Sequence, residues 1–470
     1  MTARSQWLDL LVIAAIGLAS LLPFIGQTRD LSSREIRHAE IAREMAVSGD
    51  FLVPTLLGRP YCDKPPVLHA AVAMLYRLAG EPSLALARLP SVAAAVLSAL
   101  ALYGIGLVLA DRRTALFAAL AVLGLQGFSR MARVARPDMI FALGFLIACW
   151  GLVRAMRQSR GTLAWCTLGG LGCGLAVLTK GPLGLLFPVL FGVLAPIRRD
   201  DLRRPGAAAW AVFAAAALAT ALLWAVPVYL RDGGAYLHRV VFQPDLNIEV
   251  GTGSHSFWWY FKVLPVGWLP LTLLVPWVVM DARRRGWSAA LGVAAVMFVV
   301  LCCIPKKRLH YLLPLYPLLA LATIETVMRH VEQRWLLRAA QALVAVSLVS
   351  GPFYYGLIQP RHTPPEEPEL AFAREVLRVV PPGAPIICFG DLGEPIAFVG
   401  RRGNVTQVGG LADLVASLQH GGEYVVAPQV YQETIRLQLA GKWAMREVFA
   451  GDLMAGGKSQ RWVVLQAASV

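Results

Sequence analysis

Long apolar blocks constrain this chain more than any other feature of its sequence. Several reach the roughly 18–20 residues that a helix needs to cross the hydrocarbon core of a bilayer. They run without the one-sided pattern of a helix at a water boundary. About eleven spans are expected, over 7–26, 84–109, 114–129, 137–153, 162–177, 180–196, 208–230, 260–280, 287–304, 309–328 and 336–357. Only 16% of the 470 residues are charged, against about 25% in a soluble domain. A soluble fold would have to bury all of these helices completely in one core. The first span begins within ten residues of Met1 and has no small-residue cleavage site behind a short apolar region, so it reads as a retained helix and not a signal peptide.

The net charge of +15 suggests a nucleic-acid partner until its distribution is followed. With a cytoplasmic N-terminus, the inner loops carry Arg112 and Arg113, then Arg154, Arg157 and Arg160, then Arg198, Arg199, Arg203 and Arg204. Arg283, Arg284 and Arg285 follow, and finally Arg329 and Arg334. Every inner loop is basic, as the positive-inside rule requires, so most of the charge is topological and no nucleic acid is implied. Seven cysteines, five of them in expected spans, show neither a C-x-x-C pair nor a Cys/His metal spacing. No internal repeat is present.

This topology leaves three features outside: the loop 27–83, the loop 231–259 and the tail from about 360. The membrane domain is therefore assigned to 1–360 and a second domain to 361–470. In the tail, "APIICFG", "EYVVAPQ" and "RWVVLQ" read as short buried strands, and "LADLVASLQH" and "YQETIRLQLA" as amphipathic helices between them. A Pro-rich linker, "RHTPPEEPE", precedes them. The expectation is a small α/β domain on the outer face. It has no Gly-rich loop of the kind that cradles a nucleotide phosphate.

Some outer charges do nothing for orientation. They are Lys64 in "YCDKPP", Arg130, Arg133 and Arg136 in "SRMARVARPD", Lys180 in "LTKGP", and Lys306, Lys307 and Arg308 in "IPKKRLHYLLP". Cations gathered at one membrane level from separate loops suit an anionic ligand such as a phosphate. Snorkelling at helix ends is the alternative for each taken singly. Acids and histidines accompany them: Glu35, Glu40 and Glu44 in "SSREIRHAEIAREM", Asp63 beside Lys64, Asp138 after Pro137, His255 in "GSHSFWWYF" and His310 before Tyr311. Ionisable groups at a membrane edge are costly to keep and are functional candidates. Ser32-x-x-Glu35 is also a helix-capping pattern, and Arg37, Glu40 and Glu44 share a helix face away from Glu35. The opening stretch thus reads either as a catalytic acid or as a capped helix with a charge-paired stripe.

These motifs together resemble the bacterial GT-C membrane glycosyltransferases related to protein O-mannosyltransferases, a group that includes the lipid A aminoarabinose transferases. The resemblance rests on "REIRHAEIAREMAVSGDFLVPTLLGRPYCDKPPVLHA", "ARPDMIFAL", "LTKGPLGLLFP", "HSFWWYF" and "KKRLHYLLPLYPLLAL", in the family's order over about residues 5–330. It implies a polytopic membrane enzyme of the inner membrane whose active site lies in the first outer loop. The implied donor is a polyprenyl-phosphate sugar, the acceptor a lipid, glycan or protein of the envelope, and no nucleotide is needed. The family motif D-E-A-R-Y-A-E corresponds to Arg34–Glu40; Glu35, Arg37 and Glu40 match, and Arg34 replaces the Asp. The resemblance makes Glu35 the first choice for general base and Asp138 the second, with Asp63 and Glu40 behind them. It places Lys64, Lys180, Lys307, Arg308, His310 and Tyr311 at the donor phosphate. Some members use a divalent cation there, for which Asp63 and His255 are the available ligands. The competing readings are a transporter or flippase of a lipid-linked anion and a non-catalytic binder; the missing repeat and the one-sided charge favour the enzyme.

Overall fold

A computed structural model describes all residues except 1–2, 28–33, 158–160, 198–200, 243–254, 331–333, 363–366, 419–420, 456–457 and 470. Ser32 of the capping pattern lies outside the described residues. The chain divides into two compact units. The first comprises Met1–Ile25, Cys62–Leu68 and Arg88–Leu357, and the second Gly26–Tyr61, His69–Ala87 and Ile358–Val470. The second unit therefore takes in much of the first outer loop as well as the tail, where the sequence alone placed a boundary at 360/361.

The first unit is helical. Among the described residues, six helices are long and apolar enough to cross a membrane: Ser5–Gln27, Leu84–Leu109, Asp138–Arg157, Thr162–Lys180, Ala207–Asp232 and Arg334–Arg361. Two bent pairs bring the number to eight if each is one span. Arg112–Gly124 meets Gln126–Ala132 at 66°, and Trp259–Gly267 meets Leu271–Arg285 at 106°. At the first bend Leu125 is extended, and the Gln126 amide leaves the helical ladder to donate to the Leu269 carbonyl over 3.0 Å. At the second, Pro265 and Pro270 interrupt the ladder. The other three expected spans are shorter helices, Leu183–Ile197, Ala289–Cys303 and Leu315–Arg329. An apolar run reports burial, whether by lipid or by protein, and does not by itself give a helix's length or its breaks.

Glycines bring the key helices together. Asp138–Arg157 lies against Thr162–Lys180 so closely that a Cβ on Gly151 would sit 2.5 Å from the Trp165 carbonyl oxygen. One on Gly144 would sit 2.7 Å from that of Gly172. Small residues allow such approach where no hydrophobic effect drives helices together. The contact fixes the N-terminus of one helix, Asp138, beside the C-terminus of the other, Lys180. All seven cysteines are free thiols.

In the second unit, the helix Arg34–Ser48 is followed by a two-stranded hairpin, β1 (Thr55–Leu56) and β2 (Arg59–Pro60). The tail forms a five-stranded sheet from β3 (Ile386–Phe389), β4 (Val405–Val408), β5 (Tyr424–Pro428), β6 (Trp443–Ala455) and β7 (Lys458–Ser469), in the order β4-β3-β5-β7-β6. β3 pairs parallel with β4 and β5, while β7 pairs antiparallel with β5 and β6. Ile386, Cys388, Val426 and Val464 bury one face, and Ile387, Val425, Val463 and Leu465 the other. Burial on both faces explains why β3, β5 and β7 read as continuous apolar runs. β4 and β6 escape that pattern. "VTQV" is short and half polar, and β6 contains helix formers that its long pairing with β7 overrides.

Candidate active site

The first unit gathers the sequence-selected residues from four separate segments. Asp138 opens its helix and is buried. Its Oδ1 is ion-paired with the Lys180 ammonium, which is equally enclosed. Lys180 ends the helix Thr162–Lys180, where Gly181 in a positive-φ conformation turns the chain. The Lys180 Nζ lies 4.5 Å from the Tyr311 ring centroid and 5.9 Å from that of Phe141, a cation over aromatic faces. His310 presents Nε2 at 3.8 Å from the Asp138 Oδ1. Arg136 brings Nη1 to 3.4 Å from the His310 Nδ1. Lys64 lies within electrostatic reach of Asp138 and 3.5 Å from the carboxylate of its neighbour Asp63. Arg308 and Asp63 both lie within electrostatic reach of the Tyr311 hydroxyl.

Lys64, Arg136, Lys180 and Arg308 thus lie around Asp63 and Asp138. Cations gathered at the ends of membrane helices and in their connecting turns are groups of the kind that can hold an anion.

Other sequence-selected cations are used differently. Lys307 is buried, and its ammonium donates to the carbonyls of His255 (3.1 Å) and Ile304 (2.7 Å). It pins the turn that carries Arg308, His310 and Tyr311. The buried Tyr260 hydroxyl helps, accepting from the Arg308 amide and donating to the Arg308 carbonyl, each at 3.1 Å. Arg133 is fully buried and donates to the carbonyls of Ser20 and Pro23, with its guanidinium 4.5 Å over the Tyr355 ring. A cation at the end of the first helix is favoured by the carbonyls left unpaired there. His255 is exposed and stacks on Trp259 at 4.4 Å. Among the described residues no group of three or more His, Cys, Asp or Glu is arranged to hold a metal ion, so Asp63 and His255 do not form part of a larger donor set.

In the second unit, Glu35, in the first turn of Arg34–Ser48, and Glu40 are both buried. Glu40 is clasped by Arg43 through two hydrogen bonds of 2.7 and 2.6 Å, and Arg43 also donates to the Arg402 carbonyl. Burial outweighs that partner and pushes the Glu40 carboxyl up to about 7. Arg37 donates to the buried Glu394 at 2.7 Å, and burial holds Glu394 above the usual carboxylate range against the pull of Arg37. Glu44 accepts from the Thr55 hydroxyl and the Gly58 amide. The charged stripe of this helix thus binds it to the hairpin and to the tail. His38 and His69 meet through ring nitrogens 2.9 Å apart.

Four participants, Arg136, Glu394, His38 and His69, were not singled out from sequence as site residues. Arg136 was visible only as one outer cation among several, although its place two residues before Asp138 in "RPD" was a usable signal. Glu394 carried none, because it meets Arg37 across 357 residues. The His38–His69 pair likewise depends on packing.

Comparison with known proteins gives this geometry a context. Residues 31–242 match the model of the dolichyl-phosphate-mannose-protein mannosyltransferase family. An undecaprenyl phosphate-alpha-4-amino-4-deoxy-L-arabinose arabinosyl transferase of Pectobacterium carotovorum is 30% identical over 333 residues, covering 66% of this chain and 57% of that protein. One of the same name from Pseudomonas aeruginosa is 31% identical over 296 residues, covering 61% and 51%. The matches thus span little more than half the length of these relatives. Among solved structures, ArnT from Cupriavidus metallidurans bound to undecaprenyl phosphate superposes with a TM-score of 0.73 at 18% identity, over 99% of this chain and 98% of that one. The oligosaccharyltransferase of Archaeoglobus fulgidus gives 0.56 at 11% identity, over 93% and 69%. The chain shares the GT-C fold and is related to both the mannosyltransferase and the aminoarabinosyl transferase groups.

Proposed function

We propose that this relative of the polyprenyl-phosphate glycosyltransferases transfers a sugar from a polyprenyl-phosphate donor to an envelope acceptor, on the outer side of the cytoplasmic membrane. The acceptor class is a lipid such as lipid A, another glycolipid, a glycan or a protein. The observation that carries the reading is the buried Asp138–Lys180 pair with Arg136, Lys64 and Arg308 around it. Cations gathered at membrane helix ends suit a phosphate whose lipid tail stays in the bilayer. The undecaprenyl phosphate named with the solved ArnT supports the same ligand class.

In the proposed step an acceptor hydroxyl oxygen attacks the anomeric carbon. The bond from that carbon to the phosphate oxygen breaks, its electron pair leaves with the phosphate, and the hydroxyl proton passes to a carboxylate. Direct displacement inverts the anomeric configuration. The donor phosphodiester carries one negative charge and the departing monoester gains more. The cations therefore hold the leaving group more strongly than the donor, which is the condition for lowering the barrier.

Glu35 is the proposed base, on its match to the family acid pair, with Asp138 as second candidate. A carboxylate already paired with Lys180 is better suited to orient that ammonium, and the bidentate clasp of Arg43 gives Glu40 a structural task. A divalent cation at Asp63 and His255 belongs to the same motif reading. Two donors fall short of the three or four protein ligands of a zinc site, and no step is routed through a metal. A rate that falls on chelation and returns with added metal supports the cation; an unchanged rate removes it.

The test of function is transfer from a radiolabelled polyprenyl-phosphate sugar to envelope extract in proteoliposomes, with E35Q and D138N alongside. Transfer lost in E35Q but retained in D138N supports the proposed base, and the reverse moves that role to Asp138. Lipid flux without transfer overturns the enzyme reading.

A further inference from the structure

We propose that Arg136 is a positioning residue that locks His310 as the neutral tautomer with its proton on Nε2, so that the imidazole steadies Asp138 and does not serve as a cation for the phosphate. Its place in the reaction rests on the transfer reading above. The tautomer rests on contacts alone.

A guanidinium has five N–H donors, no acceptor, and keeps its charge. The Arg136 Nη1, 3.4 Å from the His310 Nδ1, can bond to that nitrogen only if Nδ1 carries no proton. A neutral ring then bears its proton on Nε2, which faces the Asp138 Oδ1 at 3.8 Å. That oxygen can only accept. The gap is longer than a hydrogen bond, and such contacts commonly tighten when a ligand arrives.

The surroundings of His310 agree. Arg136 approaches from the turn before the helix Asp138–Arg157, Asp138 from the helix itself, Lys180 from the end of Thr162–Lys180, and Lys64 from the segment 62–68. Tyr311, from the same turn as His310, lies edge-on at 5.0 Å between ring centroids. Three cations and one carboxylate already occupy the space, so a further charge on the ring would add repulsion. His310 therefore belongs with the groups that hold Asp138, and through it Lys180, in place.

The experiment is nitrogen NMR of 15N-histidine-labelled full-length protein in lipid nanodiscs, with H310Q to assign the His310 signals. The expected result is a proton-free Nδ1 and a protonated Nε2 between about pH 5.5 and 8, the range in which an unperturbed imidazole titrates. A proton on Nδ1, or a doubly protonated ring near neutrality, overturns the proposal. Kinetics supply a second readout. R136M is expected to lower kcat on the order of 10–100-fold, as loss of a partner that orients an imidazole does elsewhere, and to create an acid limb near pH ~6.5. R136K should restore much of the rate, and H310Q, which keeps a neutral N–H donor, should outperform H310A. A raised KM in R136M with kcat and pH profile unchanged would make Arg136 a simple phosphate ligand and overturn the proposal. If the wild type transfers no sugar, the functional reading falls while the NMR result still decides the tautomer.

Discussion

Asp138 and Lys180 are buried together, and the loss of one strands the other. K180M is expected to abolish transfer and to cost about 3–5 kcal/mol of stability, the usual penalty for leaving one member of a buried pair. The D138N/K180M double variant should regain part of that stability without regaining transfer. Thermal unfolding in detergent beside the transfer assay checks both. Glu40 gives a pH prediction of definite sign. Its folded carboxyl titrates at about 7 against an ordinary 4.5. Between those values the folded chain holds more proton at Glu40 than the unfolded chain does, so its contribution to stability declines as pH rises through that window. E40Q should flatten the slope of stability against pH there. At this scale the motifs made Asp138, Lys180, His310 and Tyr311 legible, because each sits at a helix end or turn where a charge in an apolar run stands out. The partner each one takes was not legible. Lys307, expected at the phosphate from "KKRLH", donates to two carbonyls, which no local pattern announces.

Two elements hold the candidate site residues in place. The contact of Asp138–Arg157 with Thr162–Lys180 depends on backbone approach at Gly151. G151V is expected to force the helices apart, cost about 1–3 kcal/mol as overpacking does, and reduce transfer severalfold although no site side chain changes. The turn before Leu315–Arg329 is held by Lys307 and Tyr260. Y260F removes both hydrogen bonds to Arg308 and should weaken donor binding more than turnover, visible as a raised KM. The apolar runs located these helices but not their breaks. Leu125 bends its helix because the Gln126 amide finds a carbonyl near the second bend, and nothing local to "GLQGF" announces that. Among the described residues the eleven apolar runs correspond to six long helices, two bent pairs and three shorter helices.

For the molecule as a whole, the proposed donor class predicts a binding effect separable from catalysis. A ligand that binds the folded state raises the unfolding temperature. Undecaprenyl phosphate should therefore stabilise the wild type, and the corresponding alcohol without phosphate should not. K64M and R308M should lose most of the shift, and added salt should diminish it at the more exposed cations. Length and charge patterning determined, without any structure, that this is a multi-span membrane protein with several basic loops and a small sheet domain in its tail. Those properties follow from composition and period within short windows. The ordered motifs, through a family resemblance, implied the anionic, lipid-linked ligand proposed above. Tertiary structure alone decided that Lys307 and Arg133 are spent on carbonyls, that Lys180 pairs with Asp138, and that Arg37 reaches Glu394 and Arg136 reaches His310. Such pairings join segments far apart in the chain, and their geometry comes from how helices pack and where they bend.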